Sequence, residues 1–550
     1  MINVKDARNG YFSQLKIAKK KDVVVVGGGP AGVAAALSAS RNGADTLLIE
    51  RGGSLGGMMT TGGAGGIGLN GFRAGVDGHP VVVEGIAMEI FKRLQAEGGA
   101  LPGETIFPRQ TFDPAIAVHV LDEMMEEANV EVLFNTVAFD ALVEDDTIKG
   151  VAIANKGGGQ IILADRVIDT SADGDIACYA GAPFEKGRLE DGKTHGGSLD
   201  MLIGGIDVDK LISYLKAQPN LTEEERTLLD QDRSELLGAG YPLNTALGKG
   251  GVPFEAQPKV KATDWEEVER ARRNGEALPI RICTGVGGPM PGKASAPKKD
   301  GKYLPLPAGL DQEWINYIKE GKVLPLLGAD ALMYPAPRFE PIGVWRNGER
   351  RYDLMYSGVY EVWFDTSSEE ETSKALIYMR KMNKIYMQFL RERVPGFENA
   401  YIVLEASTAG TREGRRIIGE YALTEEDLWE GRRFPDVIAM GGTRGPDSHV
   451  VHGIWGTGII TELTRPYDIP YRCLVPQKID NLLAAGRCIS GRPMASGAVR
   501  SMIPAMATGQ AAGAAAAISL RDGVPPRKVD INALQSTLEA QGARLHMPNE

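Results

Sequence analysis

Residues 22–50 leave this chain few choices of fold. Val23–Val26 is a short run of β-branched residues, the pattern of a strand buried on both faces. Gly27, Gly29 and Gly32 follow at once as G-x-G-x-x-G. An alanine-rich stretch from Pro30 to Asn42 then reads as a helix, with proline in its first turn and Gly43 just past its end. Thr46–Ile49 reads as a second strand and closes on Glu50. In such a strand–turn–helix–strand unit each glycine has its own task. Gly27 permits the tight turn, Gly29 lets backbone approach a pyrophosphate, and Gly32 lets the helix lie close to the strand. Pro30 and Ala31 open the helix, whose unpaired N–H groups attract phosphate. Glu50 stands where a carboxylate accepts a hydrogen bond from a ribose hydroxyl, and an acid there disfavours the 2′-phosphate of NADP. Gly63-x-Gly65-x-x-Gly68 and Gly66-x-Gly68-x-x-Gly71 also match the spacing. Neither follows a strand or opens a helix, so both are set aside.

The remaining composition excludes several classes. The 550 residues carry 61 Lys+Arg against 72 Asp+Glu, a net charge of −11, which argues against a nucleic-acid partner. The 69 glycines gather at 27–32, 52–75, 285–292 and 486–513 with no collagen-like period. Cys178, Cys283, Cys473 and Cys488 form no C-x-x-C pair, and metal-ligand spacings are absent. A reduced, cytoplasmic protein without a bound metal is the expectation. The first 21 residues lack the apolar core of a signal peptide. Met502–Leu520 is mostly alanine and glycine, with Pro504, Thr508 and Gln510, and reads as a buried helix rather than a membrane span.

Further along, Val81–Gly98 reads as a helix, and Asp113–Ala128 as another capped by Asp113 with Pro114 in its first turn. Val130–Phe134 reads as a strand, and 147–154 with 160–169 as a hairpin around Lys156–Gly159. From 206 to about 465 prolines, charges and aromatics rise; 286–308 reads as a long loop and Glu369–Arg393 as an amphipathic helix. After Pro470 the character of the first 200 residues returns, with strand Asn481–Ala485, Gly486 and the small-residue helix near 500–520. The expected architecture is α/β. A discontinuous Rossmann-like nucleotide domain (22–205 and 466–525) carries an inserted α+β substrate or cap domain (206–465). Residues 1–21 are an N-terminal extension and 526–550 a tail.

Several segments together identify a resemblance. Asp22–Arg51, the glycine-rich Gly56-Gly57-Met58-Met59-Thr60-Thr61, and Asp169-Thr170-Ser171-Ala172-Asp173-Gly174-Asp175 with Ala180-Gly181-Ala182 are three of them. Asn481–Arg487 and Gly509–Gly513 complete the set. The chain resembles the FAD-dependent oxidoreductase family distantly related to the fumarate reductase and succinate dehydrogenase flavoproteins, over roughly 22–205 and 405–520. Residues 206–400 match no family segment. The second motif usually contains Ala-Thr-Gly and here reads Thr170-Ser171-Ala172. The resemblance implies a glutathione-reductase-type FAD domain. Gly27–Gly32 would hold the pyrophosphate and Glu50 the adenosine ribose, with Arg51 nearby. Gly57, Met58 and Thr60 would run along the flavin, and Val137 would face adenine through its backbone. Asp173 and Asp175 would make polar FAD contacts, and Gly486 and Arg487 would approach the ribityl–phosphate region. The helix starting at Ser501, Met502 and Ile503 would aim its N-terminus at the side of the flavin that becomes anionic on reduction. Relatives attach flavin covalently through a histidine in the glycine-rich segment; Met58–Gly63 has none, so non-covalent FAD is expected.

For the substrate, the resemblance places an Asp-x-His in the active-site region, matched here by Asp447 and His449. Asp447 would fix the imidazole tautomer and His449 would act as acid or base, the alternative being a surface-loop histidine. Arg412, Arg415 and Arg416 could clamp an anionic substrate, or pair with Glu413, Glu420 or FAD phosphate. Arg500, just before the last helix, is a further candidate beside the flavin. Tyr352, Tyr356 and Trp363 line a pocket or belong to a core. The leading expectation is hydride transfer between flavin N5 and a carbon of a small-molecule substrate: an alcohol, an amine, or a carbon–carbon bond beside a carboxylate. No second strand–G-x-G-x-x-G–helix unit supplies an NAD(P)H site, which leaves the electron acceptor open among O2, a quinone and a protein. A non-redox flavoprotein, an isomerase or hydratase, is the alternative, and a flavin-containing RNA-modifying protein is disfavoured by the acidic charge. A symmetric homodimer is the default assembly.

Overall fold

The computed structural model describes residues 14–62, 69–70, 81–100, 109–110, 112–187, 192–217, 281–283, 310–324, 333–335, 338–340, 344–346, 349–351, 353–442, 444–448, 459–462 and 466–547. The 286–308 segment read as a loop lies outside them.

The apolar run Val23–Val26 is the second half of a longer strand, β1 (Lys16–Val26). Its polar half, expected to be part of an extension, is held by charge. Lys19 pairs with Glu131, and Lys21 with Asp45 at 2.7 Å and Glu131 at 3.1 Å. β2 is Thr46–Ile49, β3 Glu131–Leu133, β4 Val137–Glu144, β5 Thr147–Asn155 and β6 Gly158–Asp169. They form one sheet in the order β3-β2-β1-β6-β5-β4, joined by the distant strand Leu482–Ala484. β6 uses one edge twice: residues 158–163 pair antiparallel with β5, and 167–169 pair parallel with Leu482–Ala484. The parallel strands end level, since Val26 stands beside both Ile49 and Asp169, and Asp169 beside Ala484. In an open parallel sheet that carboxyl edge is where ligands bind.

α1 (Pro30–Arg41) follows β1, and Gly43, at φ +92°, ends it as the alanine-rich pattern predicts. α2 (Ile86–Ala96) starts later than the predicted Val81. Gly85 takes φ +68° with ψ −140°, a combination that favours glycine, and the Gln510 side chain accepts the Ile86 N–H in place of a cap. α3 (Pro114–Glu127) is capped by Asp113, which accepts from Ala115 N at 2.9 Å. A second sheet contains β7 (Gly197–Gly204), β8 (Arg338–Glu340), β9 (Met355–Val362) and β10 (Tyr401–Glu405), antiparallel in the order β8-β9-β7-β10. α4 (Glu369–Arg393) has the predicted bounds, with Ser368 as its cap. It buries Ala375, Met379, Met382 and Tyr386 in a core with Leu199, Met201 and Val359.

That second core runs from Leu199 to Ala409. The stretch after it returns to the first body: Arg415–Ile417 pairs with Phe184–Lys186, and Leu423, Leu428 and Val437–Met440 join the first core. α5 (Met502–Arg521) is long and apolar enough to cross a membrane by composition, but it is mostly buried in the protein and packs on α1. The packing is unusually close. A Cβ on Gly509 would sit 2.1 Å from the Ala31 carbonyl oxygen, and one on Gly513 2.2 Å from that of Ala35. The alanines and glycines that make both helices weakly apolar are what let their backbones touch.

Candidate functional site

The level strand ends, with the first turns of α1 and α5, define the site. Gly27 takes φ +106°, and a Cβ there would lie 2.4 Å from the Thr170 carbonyl oxygen. Thr170 Oγ1 in turn donates to the carbonyls of Val26 or Gly27, each at 2.8 Å, locking the turn to the end of β6. A Cβ on Gly32 would collide with the Gly27 carbonyl. Gly29 differs. It caps α1 with ordinary angles (φ −71°, ψ −175°), and among the described residues no side chain caps the helix and a Cβ there would meet nothing within 4 Å. Pro30 and Ala31 continue into the helix from this open position.

Glu50 has a structural task beyond the expected one: its carboxylate accepts from Gly28 N and Gly52 N, both at 2.6 Å. Each oxygen keeps lone-pair capacity for a further donor. Arg51 is exposed beside it. The chain returning from β3 passes the same point, with Thr136 N donating to Glu50 O at 3.0 Å and Asn135 N to Gly52 O at 2.9 Å. Val137 follows as the first residue of β4, 48% exposed. Gly57, Met58 and Met59 form a single 3-10 turn, and the Gly57 position faces the Gly29 Cα. Thr60 Oγ1 ties that turn to Leu55 O at 2.5 Å.

Beyond β6 the chain turns through Ala172, at φ +75°, and Gly174, at φ +63°. Buried Asp169 organises the turn, accepting from Ser171 N at 3.0 Å, Ser171 Oγ at 2.7 Å and Ala177 N at 2.8 Å; burial pushes its carboxyl above the usual range. The two acids that follow are engaged by arginines. Asp173 Oδ2 lies 3.0 Å from Arg487 Nη2, and Asp175 Oδ1 2.7 Å from Arg415 Nη1. Burial, then the charges of Asp169 and Asp173, push the Asp175 carboxyl up to about 6 against the pull of Arg415.

Of the three clustered arginines, two are committed to protein acids. Arg415 holds Asp175, and Arg416 pairs with Glu413 while donating to Gly491 O at 2.9 Å and Gly187 O at 3.1 Å. Arg412 donates to the Gly196 carbonyl. Gly486 lies against Ala31 of α1, and its N–H donates to Thr508 Oγ1 at 3.1 Å. Arg500 ends the short helix Pro493–Val499. Ser501 then caps α5 without a side-chain bond; Ser501 and Met502 are half-buried, whereas Ile503 is fully buried. His449 and Tyr352 lie outside the described residues. Asp447 sits in strand Arg444–Ser448, level with Ile460; its side chain and that of Tyr356 are outside what the structure describes. Trp363 belongs to the second core. Sequence reasoning misses the buried His195, whose Nε2 is 3.6 Å from Glu413 Oε2, because 218 residues separate the two and no local motif marks them.

The residues fit an anionic dinucleotide. The α1 and α5 N-termini carry no side-chain cap, and the Gly29 face is open. Arg487, with its side chain 10% exposed, has a buried Nη1 with no hydrogen-bond partner among the described residues. Helix N-termini and a buried guanidinium edge are groups that an anion satisfies.

Fold and site thus define a Rossmann-like dinucleotide-binding enzyme with a parallel-rich sheet. The chain matches the FAD dependent oxidoreductase family over residues 22–538 and belongs to it; it is an FAD-dependent oxidoreductase. No curated protein matches the sequence. Solved structures align at low similarity. A geranylgeranyl bacteriochlorophyll reductase-like protein from Thermoplasma acidophilum gives a TM-score of 0.37 at 11% identity, covering 95% of this chain and 83% of that one. The p-nitrophenol 4-monooxygenase of Pseudomonas putida gives 0.38 at 10%, covering 95% and 86%. A flavin-dependent brominase gives 0.38 at 10%, covering 95% and 83%.

Proposed function

We propose that this chain holds FAD non-covalently across the carboxyl edge of its first sheet and transfers a hydride between that cofactor and a small-molecule substrate. The observation that carries the reading is convergence: Val26, Asp169 and Ala484 end three parallel strands at one level, with two helix N-termini without side-chain caps beside them. Bound FAD supplies two-electron redox chemistry, which the protein's own side chains lack. The chain supplies the rest. The Gly27–Gly32 turn and the start of α1 hold the pyrophosphate, and Glu50 takes the ribose. Met58 and Thr60 border the ring. The N-terminus of α5, at Ser501 and Met502, stabilises negative charge near it. Arg412 and Arg500 orient an anionic group of the substrate, and His449, aligned by Asp447, carries its proton.

In this proposal the nucleotide-binding part is of glutathione-reductase type. The substrate-covering insertion is the second sheet with its core, about 197–410, and is narrower than the 206–465 expected from composition. The described residues Leu423, Leu428, Val437–Met440 and Cys473–Val475 pack in the first core and belong with the nucleotide-binding part. The test is anaerobic mixing with a panel of small metabolites, including hydroxy acids, amines and unsaturated carboxylates. A substrate is expected to bleach the visible flavin absorbance within one turnover. Turnover that requires FAD but leaves the absorbance unchanged throughout would instead establish the non-redox alternative.

A further inference from the structure

The segment leading into β7 and the segment after β10 run antiparallel as a short ladder at the junction of the two cores. Ser198 and Gly410 exchange both backbone bonds, Ser198 N to Gly410 O at 3.1 Å and Gly410 N to Ser198 O at 2.7 Å. Further along, Arg412 donates to the Gly196 carbonyl. Beyond that, the His195 backbone N–H donates to Glu413 Oε2 at 3.0 Å, with the imidazole Nε2 3.6 Å from the same oxygen. One end of the ladder meets the Gly57–Met59 turn, where a Cβ on Gly410 would lie 3.5 Å from Met58 Cε. The other end is tied to the nucleotide side. Thr366 Oγ1 bonds the Glu413 carbonyl at 3.1 Å and Asp173 Oδ1 at 3.0 Å, and Asp173 holds Arg487.

His195 and Glu413 are each 2% exposed, so they stand behind the ligand-facing surface rather than on it. The backbone N–H of residue 195 makes its bond to Glu413 whatever the side chain, so that bond does not require the imidazole. What an imidazole beside a carboxylate adds is a second proton site, with a nitrogen that the carboxylate alone does not offer. Burial pushes the Glu413 carboxyl up, against Arg416, the His195 N–H, Arg487 and Arg500. Among the described residues, the charged groups that act on Glu413 are Arg416 from its own segment and Arg487 and Arg500 from the last third of the chain; Arg412 lies one position before it, and Asp173 reaches its carbonyl through Thr366. An anionic dinucleotide next to Arg487 adds negative charge to this cluster, and Coulomb attraction then favours the protonated pair.

We propose that His195 and Glu413 are positioning residues that fix Arg412 through the ladder and take up a proton from solvent when FAD binds. No covalent bond of the dinucleotide changes in the step. The proposal rests on the FAD reading above. The test is calorimetric titration of apoprotein with FAD, near neutral pH, in buffers of different ionisation enthalpy. In the wild type the observed enthalpy is expected to vary with buffer in the sense of proton uptake. FAD affinity should fall as pH rises, by at most about tenfold per pH unit for a single linked proton. His195→Asn keeps the backbone bond to Glu413 but cannot titrate, and its proton count should drop by at least about half. Wild type that binds FAD with no buffer dependence overturns the proposal whatever the variant does, as does an equal count in folded His195→Asn. Failure of the wild type to bind FAD contradicts the cofactor reading itself and is distinct from binding without a proton.

Discussion

Replacing Arg416 by alanine is expected to destabilise the protein by about 3–5 kcal/mol, the cost of leaving one partner of a buried ion pair alone. Arg416 is among the largest fully buried side chains, and its fork makes three separate bonds: to Glu413, to Gly491 O and to Gly187 O. These join the segment after the second sheet to the loop before it and to the segment after Gly486. Arg416→Lys should recover little, because a single ammonium cannot reach three acceptors in the geometry of a planar fork. The loss should also depend on pH. The Glu413 carboxyl is already raised by burial, and removing Arg416 raises it further. A group raised in the folded state stabilises below its unfolded pKa and loses that contribution as pH rises through the folded value. Denaturant unfolding should therefore show a larger gap between wild type and Arg416→Ala at mildly alkaline than at mildly acid pH. A gap independent of pH would mean that Glu413 is not the group left uncompensated.

The second large effect is at the helix crossing. Gly513→Ala places a methyl 2.2 Å from the Ala35 carbonyl oxygen, a backbone atom that cannot rotate aside. α1 and α5 must separate, at about 3 kcal/mol for overpacking in a closely packed core. Because α1 also carries Gly29 and Ala31 at its start, and Gly486 packs on Ala31, the shift should reach the nucleotide end. Both the thermal midpoint and FAD affinity are expected to fall together. A stable Gly513→Ala variant with unchanged FAD affinity would contradict the packing described for these two helices.

How much of the fold is legible from sequence follows the range of the interactions. The β1–α1–β2 unit, the Asp113 cap and the bounds of α4 are local, set by periodicity, Pro, Gly and capping residues within a few positions. The polar start of β1 is not legible, because its lysines are answered by Asp45, just before β2, and by Glu131 in β3. The second sheet is hidden for the same reason: β7 takes its partners from residues 355–362 and 401–405. Residues up to 465 read as part of an insertion by composition, yet the described Leu423, Leu428 and Val437–Met440 join the first core. At the site, the glycine turn and Glu50 are visible as a motif. The pairing of Arg416 with Glu413 is one of the alternatives the residues leave open, whereas Asp175 as the partner of Arg415 is not among them, and only the fold supplies it.

The central claim is that the face of Gly29 at the start of α1 is the pyrophosphate site. Gly29→Ala isolates it, because the added methyl meets no atom of the described residues within 4 Å and the backbone angles suit alanine. Equilibrium titration of the apo variant with FAD, beside a thermal melt of the same sample, is the direct measurement. The apo melting midpoint is expected to be unchanged and FAD affinity reduced at least tenfold, about 1.4 kcal/mol. An apo variant that melts like wild type and binds FAD just as tightly would contradict it.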